Sequence, residues 1–192
     1  MHTRIPTTRL LAPLLAALLA LPLAAGAATK EERRQDVRDV TENTLQRLYK
    51  SQPHAKDAIE RSAGYAVFSN FGMKIFFAGG GTGAGLAVNR KQKTETFMKM
   101  VEVQAGLGVG VKKFRLVWVF EKQSDLNRFV NSGWELGAQA TAAAQVSGKG
   151  QEVYAGAMSV SPGVWLYQLT DEGLAAELTA KGTKYYKDAE LN

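Results

Sequence analysis

Glycine occupies every second position in two separate stretches of this chain: Gly79, Gly81, Gly83 and Gly85, then Gly106, Gly108 and Gly110. Val103, Ala105, Leu107, Val109 and Val111 run between and around the second set. A period of two is the side-chain repeat of a β-strand, so one face of each segment is almost bare backbone. Glycine weakens a strand, because it packs nothing and loses the most conformational freedom on folding. Its repetition on one face therefore points to close approach there by another sheet, a helix, a large aromatic or a ligand.

The first residues read as a targeting segment. Arg4 and Arg9 make a basic start, Leu10 to Leu23 is an apolar run, and Ala25-Gly26-Ala27 places small residues at a cleavage site. This is the layout of a secretory signal peptide spanning 1–27. The run is short for a membrane anchor and is broken by Pro13 and Pro22. Cleavage after Ala27, or one residue beyond, is the expectation. Removing 27 of the 192 residues leaves 165, enough for one domain with a real core. The loss of two arginines lowers the formal charge from +6 to +4. Such a balance permits attraction to anionic lipid, glycan or nucleic acid without demanding any of them. The chain has no cysteine, so a lipidated cysteine and disulfides are both excluded. No later segment is long and apolar enough to span a bilayer. The expected product is periplasmic, soluble or at most peripheral to a membrane.

The pattern along 28–192 predicts helices first and strands after. Val37, Val40, Thr44, Leu45 and Leu48 recur at helical spacing within a helix from Lys30 to Ser51, which Pro53 stops. A short helix follows from His54 to Ser62, with Ala55, Ala58 and Ile59 inward. From Tyr65 the period becomes two. Strands are predicted at Tyr65–Ser69, Met73–Ala78 and along the first glycine stripe to Val88. Asn89 to Lys93 reads as a charged hairpin tip, and Thr94 to Val111 as one long strand or two. A turn at Lys112-Lys113 leads to Phe114–Phe120, where Leu116, Trp118 and Phe120 share a face. Ser124-Asp125 reads as the cap of a short helix that Gly133 ends. Strands are further expected over Leu136 to Val146, Gln151–Val160, Val164–Thr170 and the alternation Leu174 to Ala180, with a short piece from Thr183. No helix of crossover length separates the strands between Tyr65 and Phe120, which favours antiparallel connections. The expected fold class is α+β: one domain, a curved antiparallel sheet or partial barrel, with the N-terminal helices packed across it.

Catalytic chemistry is poorly supplied. Gly79-Gly80-Gly81-Thr82-Gly83-Ala84 fits a dinucleotide fingerprint in letters, but that motif must open a helix, and here the strand pattern continues. A phosphate-binding loop fails too, since Leu86 and Ala87 stand where Lys and Ser or Thr belong. His54 alone of the two histidines lies beyond the signal segment, and no Gly-x-Ser-x-Gly motif accompanies it. No His, Asp or Glu spacing marks a metal site, and no cofactor is implied. Basic residues do cluster: Arg33, Arg34 and Arg38 on the first helix, Arg90, Lys91 and Lys93 on the tip, Lys112, Lys113 and Arg115 at the later turn. Gathered at one rim, they would attract lipid headgroups at roughly 1 kcal/mol each. The alternative is that charged tips merely keep strand edges unpaired. Aromatic and basic residues are not interleaved as single-stranded nucleic acid requires. Trp118, Trp134, Trp165, Tyr65, Phe68, Phe76 and Phe77 are candidates to fill the space over the glycines, or to line a pocket for an acyl chain.

The run Ala63-Gly64-Tyr65-Ala66-Val67-Phe68, the segment Gly79 to Gly85 and Val103 to Gly110 occur in an order that resembles the SYLF lipid-binding domain family. The likeness continues through Phe114–Phe129 to Gly173-Leu174-Ala175 and Tyr185-Tyr186, and so covers most of Lys30 to Lys187. That family includes bacterial exported proteins and eukaryotic actin-patch proteins carrying SH3 or FYVE domains. The resemblance implies a non-enzymatic domain that binds membrane lipid, with contacts in the N-terminal helical region, here Lys30–Arg61. Phosphoinositides and actin, ligands of some eukaryotic relatives, are not carried over to an exported chain. The segment Leu136 to Gln145 departs from the family pattern, being alanine- and glutamine-rich. The expected partner is an anionic phospholipid or membrane surface, with no nucleic acid and no protein partner identified. The rival expectation is a structural or partner-binding envelope protein without a lipid ligand.

Overall fold

The computed structural model describes residues 28–69, 80–103, 114–136, 152–170, 173–174 and 183–192. Helix α1 (Lys30–Ser51) opens on a capping box, in which Thr29 accepts from the Glu32 amide and the Glu32 carboxylate accepts from the Thr29 amide. Two of the four exposed donors of the first turn are thereby satisfied. Its buried stripe is Val37, Thr41, Thr44 and Leu48. The two threonines can be buried because their hydroxyls donate to the Val37 and Val40 carbonyls, at 2.8 and 2.7 Å. Helix α2 (His54–Arg61) buries Ala55, Ala58 and Ile59. Both helices match the periodicity of the sequence.

Nine strands among the described residues form one sheet, antiparallel at every pairing and curled into a half-barrel. They are β1 (Gly64–Ser69), β2 (Gly80–Asn89), β3 (Thr94–Val103), β4 (Arg115–Phe120), β5 (Trp134–Leu136), β6 (Met158–Ser161), β7 (Val164–Thr170), β8 (Gly173–Leu174) and β9 (Thr183–Lys187). Their order is β5-β9-β3-β2-β1-β4-β7-β6, with β8 also on β7. Helix α3 (Gln123–Ser132) packs on the inner face, where Leu126 and Phe129 meet Phe68, Trp118, Phe120 and Tyr185. Helices α1 and α2 cover the outer face, where Leu48 and Ile59 meet Val67, Val117, Val119 and Tyr167. The chain is thus a single α+β domain with its N-terminal helices laid across a curved sheet.

Register explains the first glycine stripe. Gly85 stands opposite Phe68 on β1 and Met98 on β3. A Cβ at Gly85 would collide with the Phe68 ring and sit 2.6 Å from the Val67 carbonyl oxygen. A Cβ at Gly83 would lie 2.6 Å from Met100 Cε and 2.7 Å from the Ser69 carbonyl oxygen. The missing side chains make room for an aromatic cluster in which Phe68 and Tyr185 have centroids 4.8 Å apart and Trp118 and Tyr185 5.1 Å. Leu116, Trp118 and Phe120 share the inner face, as their alternation requires.

Several boundaries differ from the sequence expectation; β5 begins at Trp134 rather than Leu136, and two others have a clear physical cause. Helix α3 is capped by Lys122 in extended conformation, and the Asp125 and Leu126 amides donate to its carbonyl, so Ser124 and Asp125 lie inside the first turn. The arm expected over Gln151–Val160 is strand only from Met158. Residues Glu152–Tyr154 form a 3-10 turn, because Tyr154 stacks flat on Trp165 at 4.3 Å and Ala157 closes the turn onto its carbonyl. The second glycine stripe at 106–110, the strand over 73–78, the Lys112-Lys113 turn and the alternations beyond 136 and 174 lie outside the described residues.

Candidate functional site

The basic residues singled out by the sequence divide by location. On α1, Arg33, Arg34 and Arg38 are each engaged by a residue distant in sequence. Arg33 pairs with Glu190 at 3.1 Å, and Arg34 pairs with Glu31 at 3.4 Å while its Nε donates to the Leu191 carbonyl at 2.6 Å. Arg38 pairs with Glu31 at 3.0 Å and with Glu95 on β3 at 2.9 Å. The guanidinium carbons of Arg34 and Arg38 lie 5.6 and 5.2 Å from the Phe97 ring centroid, within cation–π range. Hydrogen bonds from Arg38 and then Arg34 hold the Glu31 carboxyl below its ordinary range. Much of the positive field of this helix is met by carboxylates.

The hairpin tip between β2 and β3 is different. Arg90 is fixed to the end of α2, its guanidinium donating to the Glu60 carbonyl and, at 3.2 Å, to the Ser62 carbonyl. Lys91 and Lys93 are exposed, and neither forms an ion pair with a described residue. Lys93 turns the chain at φ +55°, a left-handed conformation that a non-glycine residue adopts mainly in tight turns. Beside the tip, Tyr65, Val88, Asn89, Arg90, Lys93 and Glu95 line an open groove on the outer face. At its border, burial pushes the Tyr49 phenol up to about 12, with Tyr65 and Glu60 adding and Arg90 opposing.

Arg115 pairs with Ser69, at the far end of β1 from Gly64, which pairs with Asn89 next to the tip. Five residues at 3.3 Å each separate the two ends by about 16 Å. The structure therefore brings Arg38 toward the tip through Glu95 but does not bring Arg115 to it. Lys112 and Lys113 lie outside the described residues. His54 is exposed at the first residue of α2. Gly80 to Gly85 lie within β2, which continues as strand to Asn89, so the stripe opens no helix of the kind a dinucleotide fingerprint needs. Among the described residues, no three metal-type side chains cluster and no helix is long and apolar enough to cross a membrane.

Sequence reasoning missed Tyr49, Phe97, Glu95 and Glu190 as neighbours of these cations. The spacing of Glu31 and Arg34 on one helix face was readable. The pairings of Arg33 and Arg38 join α1 to residues 157 and 57 positions away, and no local signal carries them.

The family model described as Ysc84, Las17-binding protein actin regulator, matches residues 101–192. Beta cell expansion factor A of Aeromonas veronii is 31% identical over 163 residues, which cover 85% of this chain and 60% of that relative. The chain therefore spans less than two thirds of that relative's length. The second half of the chain thus matches the model of the Ysc84, or SYLF, family, and most of its length is similar to the Aeromonas veronii relative.

Proposed function

We propose that this chain is an exported, non-enzymatic domain that binds anionic membrane lipid from the periplasmic side, with the β2–β3 tip as its principal contact. One observation carries the reading: Lys91 and Lys93 project from a fixed tip without an ion-pair partner among the described residues. The likeness of residues 101–192 to the SYLF family model and the signal-peptide pattern of residues 1–27 support it. Arg90 adds a cation held by carbonyls rather than by carboxylates. Arg33, Arg34 and Arg38 contribute less in this state, because their charges are already met by Glu31, Glu95 and Glu190. Lys112 and Lys113 belong to the proposed basic surface on sequence alone.

Flotation with anionic and neutral vesicles at low and high salt tests the reading. The expected result is partitioning onto anionic vesicles only, reduced by salt. Lys91→Ala with Lys93→Ala lowers that partitioning by about thirtyfold, at roughly 1 kcal/mol per lysine near the surface. Equal partitioning onto both vesicle types overturns the electrostatic reading. No partitioning at all favours the second reading, a partner-binding or structural envelope protein without a lipid ligand. The neutralised arginines of α1 are the observation that speaks for that alternative.

A further inference from the structure

Residues 188–192 lie in a cleft between α1 and β3 in the manner of a bound peptide. Leu191 is 4% exposed and packs with Val37, Leu86 and Phe97. The Asn192 side chain pairs with both backbone groups of Phe97, accepting from its amide at 3.0 Å and donating to its carbonyl at 2.8 Å. Its own carbonyl accepts from Lys30 Nζ at 2.8 Å, and that of Leu191 from Arg34 Nε at 2.6 Å. Glu190 meets Arg33 at 3.1 Å and Lys99 at 3.8 Å, and the buried Asp188 meets Lys99 at 3.2 Å. Four of these five residues are thus read by one apolar anchor, two paired carboxylates and one bidentate amide.

The walls of this cleft have anchors besides the segment that fills it. Phe97 is held in β3 opposite Leu86, and both Arg34 and Arg38 lie over its ring. The later turns of α1 are anchored separately, through Leu48 against Ala55, Val67 and Val117. Removal of residues 188–192 leaves an apolar floor rimmed by Lys30, Arg33, Arg34 and Lys99, and the charge of that rim selects an acidic occupant. A bidentate amide and a single buried leucine give the geometric specificity that charge alone lacks.

We propose that the cleft between α1 and β3 is a recognition site for an acidic peptide of the pattern carboxylate, any residue, carboxylate, leucine, asparagine. Residues 188–192 occupy it in cis, and a protein segment of the same chemistry is the partner that exchanges for them. This inference does not depend on lipid binding. A tethered segment sits at an effective concentration in the millimolar range, so a competing peptide at micromolar concentration finds the native site filled.

The test uses the full chain carrying Leu191→Asp and Asn192→Ala, and a labelled, end-blocked peptide of residues 186–192 read by fluorescence anisotropy. The expected result is that this variant binds the peptide at least about tenfold more tightly than the wild-type chain. Adding Arg33→Glu weakens the variant's binding by about tenfold, and a peptide of reversed order does not bind. A folded variant that fails to bind, or one that binds forward and reversed peptides alike, overturns the proposal. Should the double variant unfold, Asn192→Ala alone decides. Hydrogen exchange then rises by about tenfold at Phe97 and in residues 30–38, with the Trp118 core unchanged. Unchanged exchange at Phe97 overturns the proposal.

Discussion

At the scale of single residues, the decisive contact is between a glycine and a ring. Phe68 lies over Gly85, directly across the ladder, and takes the place of the side chain that Gly85 lacks. Gly85→Ala drives a methyl into that ring and toward the Val67 carbonyl, so the substitution is expected to destabilise by about 1–3 kcal/mol through overpacking. Urea denaturation measures it. The cost falls when Phe68→Leu is introduced first, because the two sites share one volume and their effects do not add. The period of the glycines announced close approach. Which ring approaches depended on register, and Phe68 is only one of several aromatics that alternate correctly in the sequence.

At the scale of elements, α1 shows how local and distant forces divide one helix. Its start is set by the Thr29–Glu32 capping box and its burial stripe by Val37, Thr41, Thr44 and Leu48. Thr29→Ala is expected to cost about 1 kcal/mol and to raise hydrogen exchange in the first turn, leaving β1 and β4 unchanged. The bounds of α1 and the inward residues of α2 were legible because helical periodicity is a local signal. So were β1, the tip at 90–93, β4 and β9. The start of α3 was misread because Ser124 and Asp125 are good caps by type, whereas the cap lies two residues before Ser124, at Lys122. The short β6 was misread because the Tyr154–Trp165 stack pulls residues 152–154 into a turn, and that contact crosses two elements.

At the scale of the whole molecule, burial of tyrosines between sheet and helices sets an alkaline limit. Burial pushes the Tyr49 and Tyr167 phenols up to about 12, and raises Tyr154 and Tyr65 as well. A raised phenol keeps its proton in the folded chain while the unfolded chain releases it near 10. Stability is therefore complete below about pH 10 and falls as pH rises from there toward 12. Phenolate absorbance followed alongside tryptophan fluorescence should show Tyr49 and Tyr167 ionising near pH 12, or earlier only where the fold is lost first. The Tyr167 hydroxyl is buried without a hydrogen-bond partner among the described residues. Tyr167→Phe should accordingly be neutral or stabilising at pH 7, within about 1 kcal/mol, and should lessen the alkaline fall.

The sequence alone determined the α+β class, the antiparallel connections, the two N-terminal helices and the charged tip. Each follows from side-chain periodicity, turn residues or spacing within a few positions. Tertiary structure decided what those elements face. It set Phe68 over Gly85 and separated Arg115 from the tip. It also gave Arg33 and Arg38 to Glu190 and Glu95, leaving Lys91 and Lys93 freer than the arginines of α1. The reason is physical: a charge acts through its distance to other charges, and those distances are fixed only when the sheet curls and residues 188–192 pack against α1.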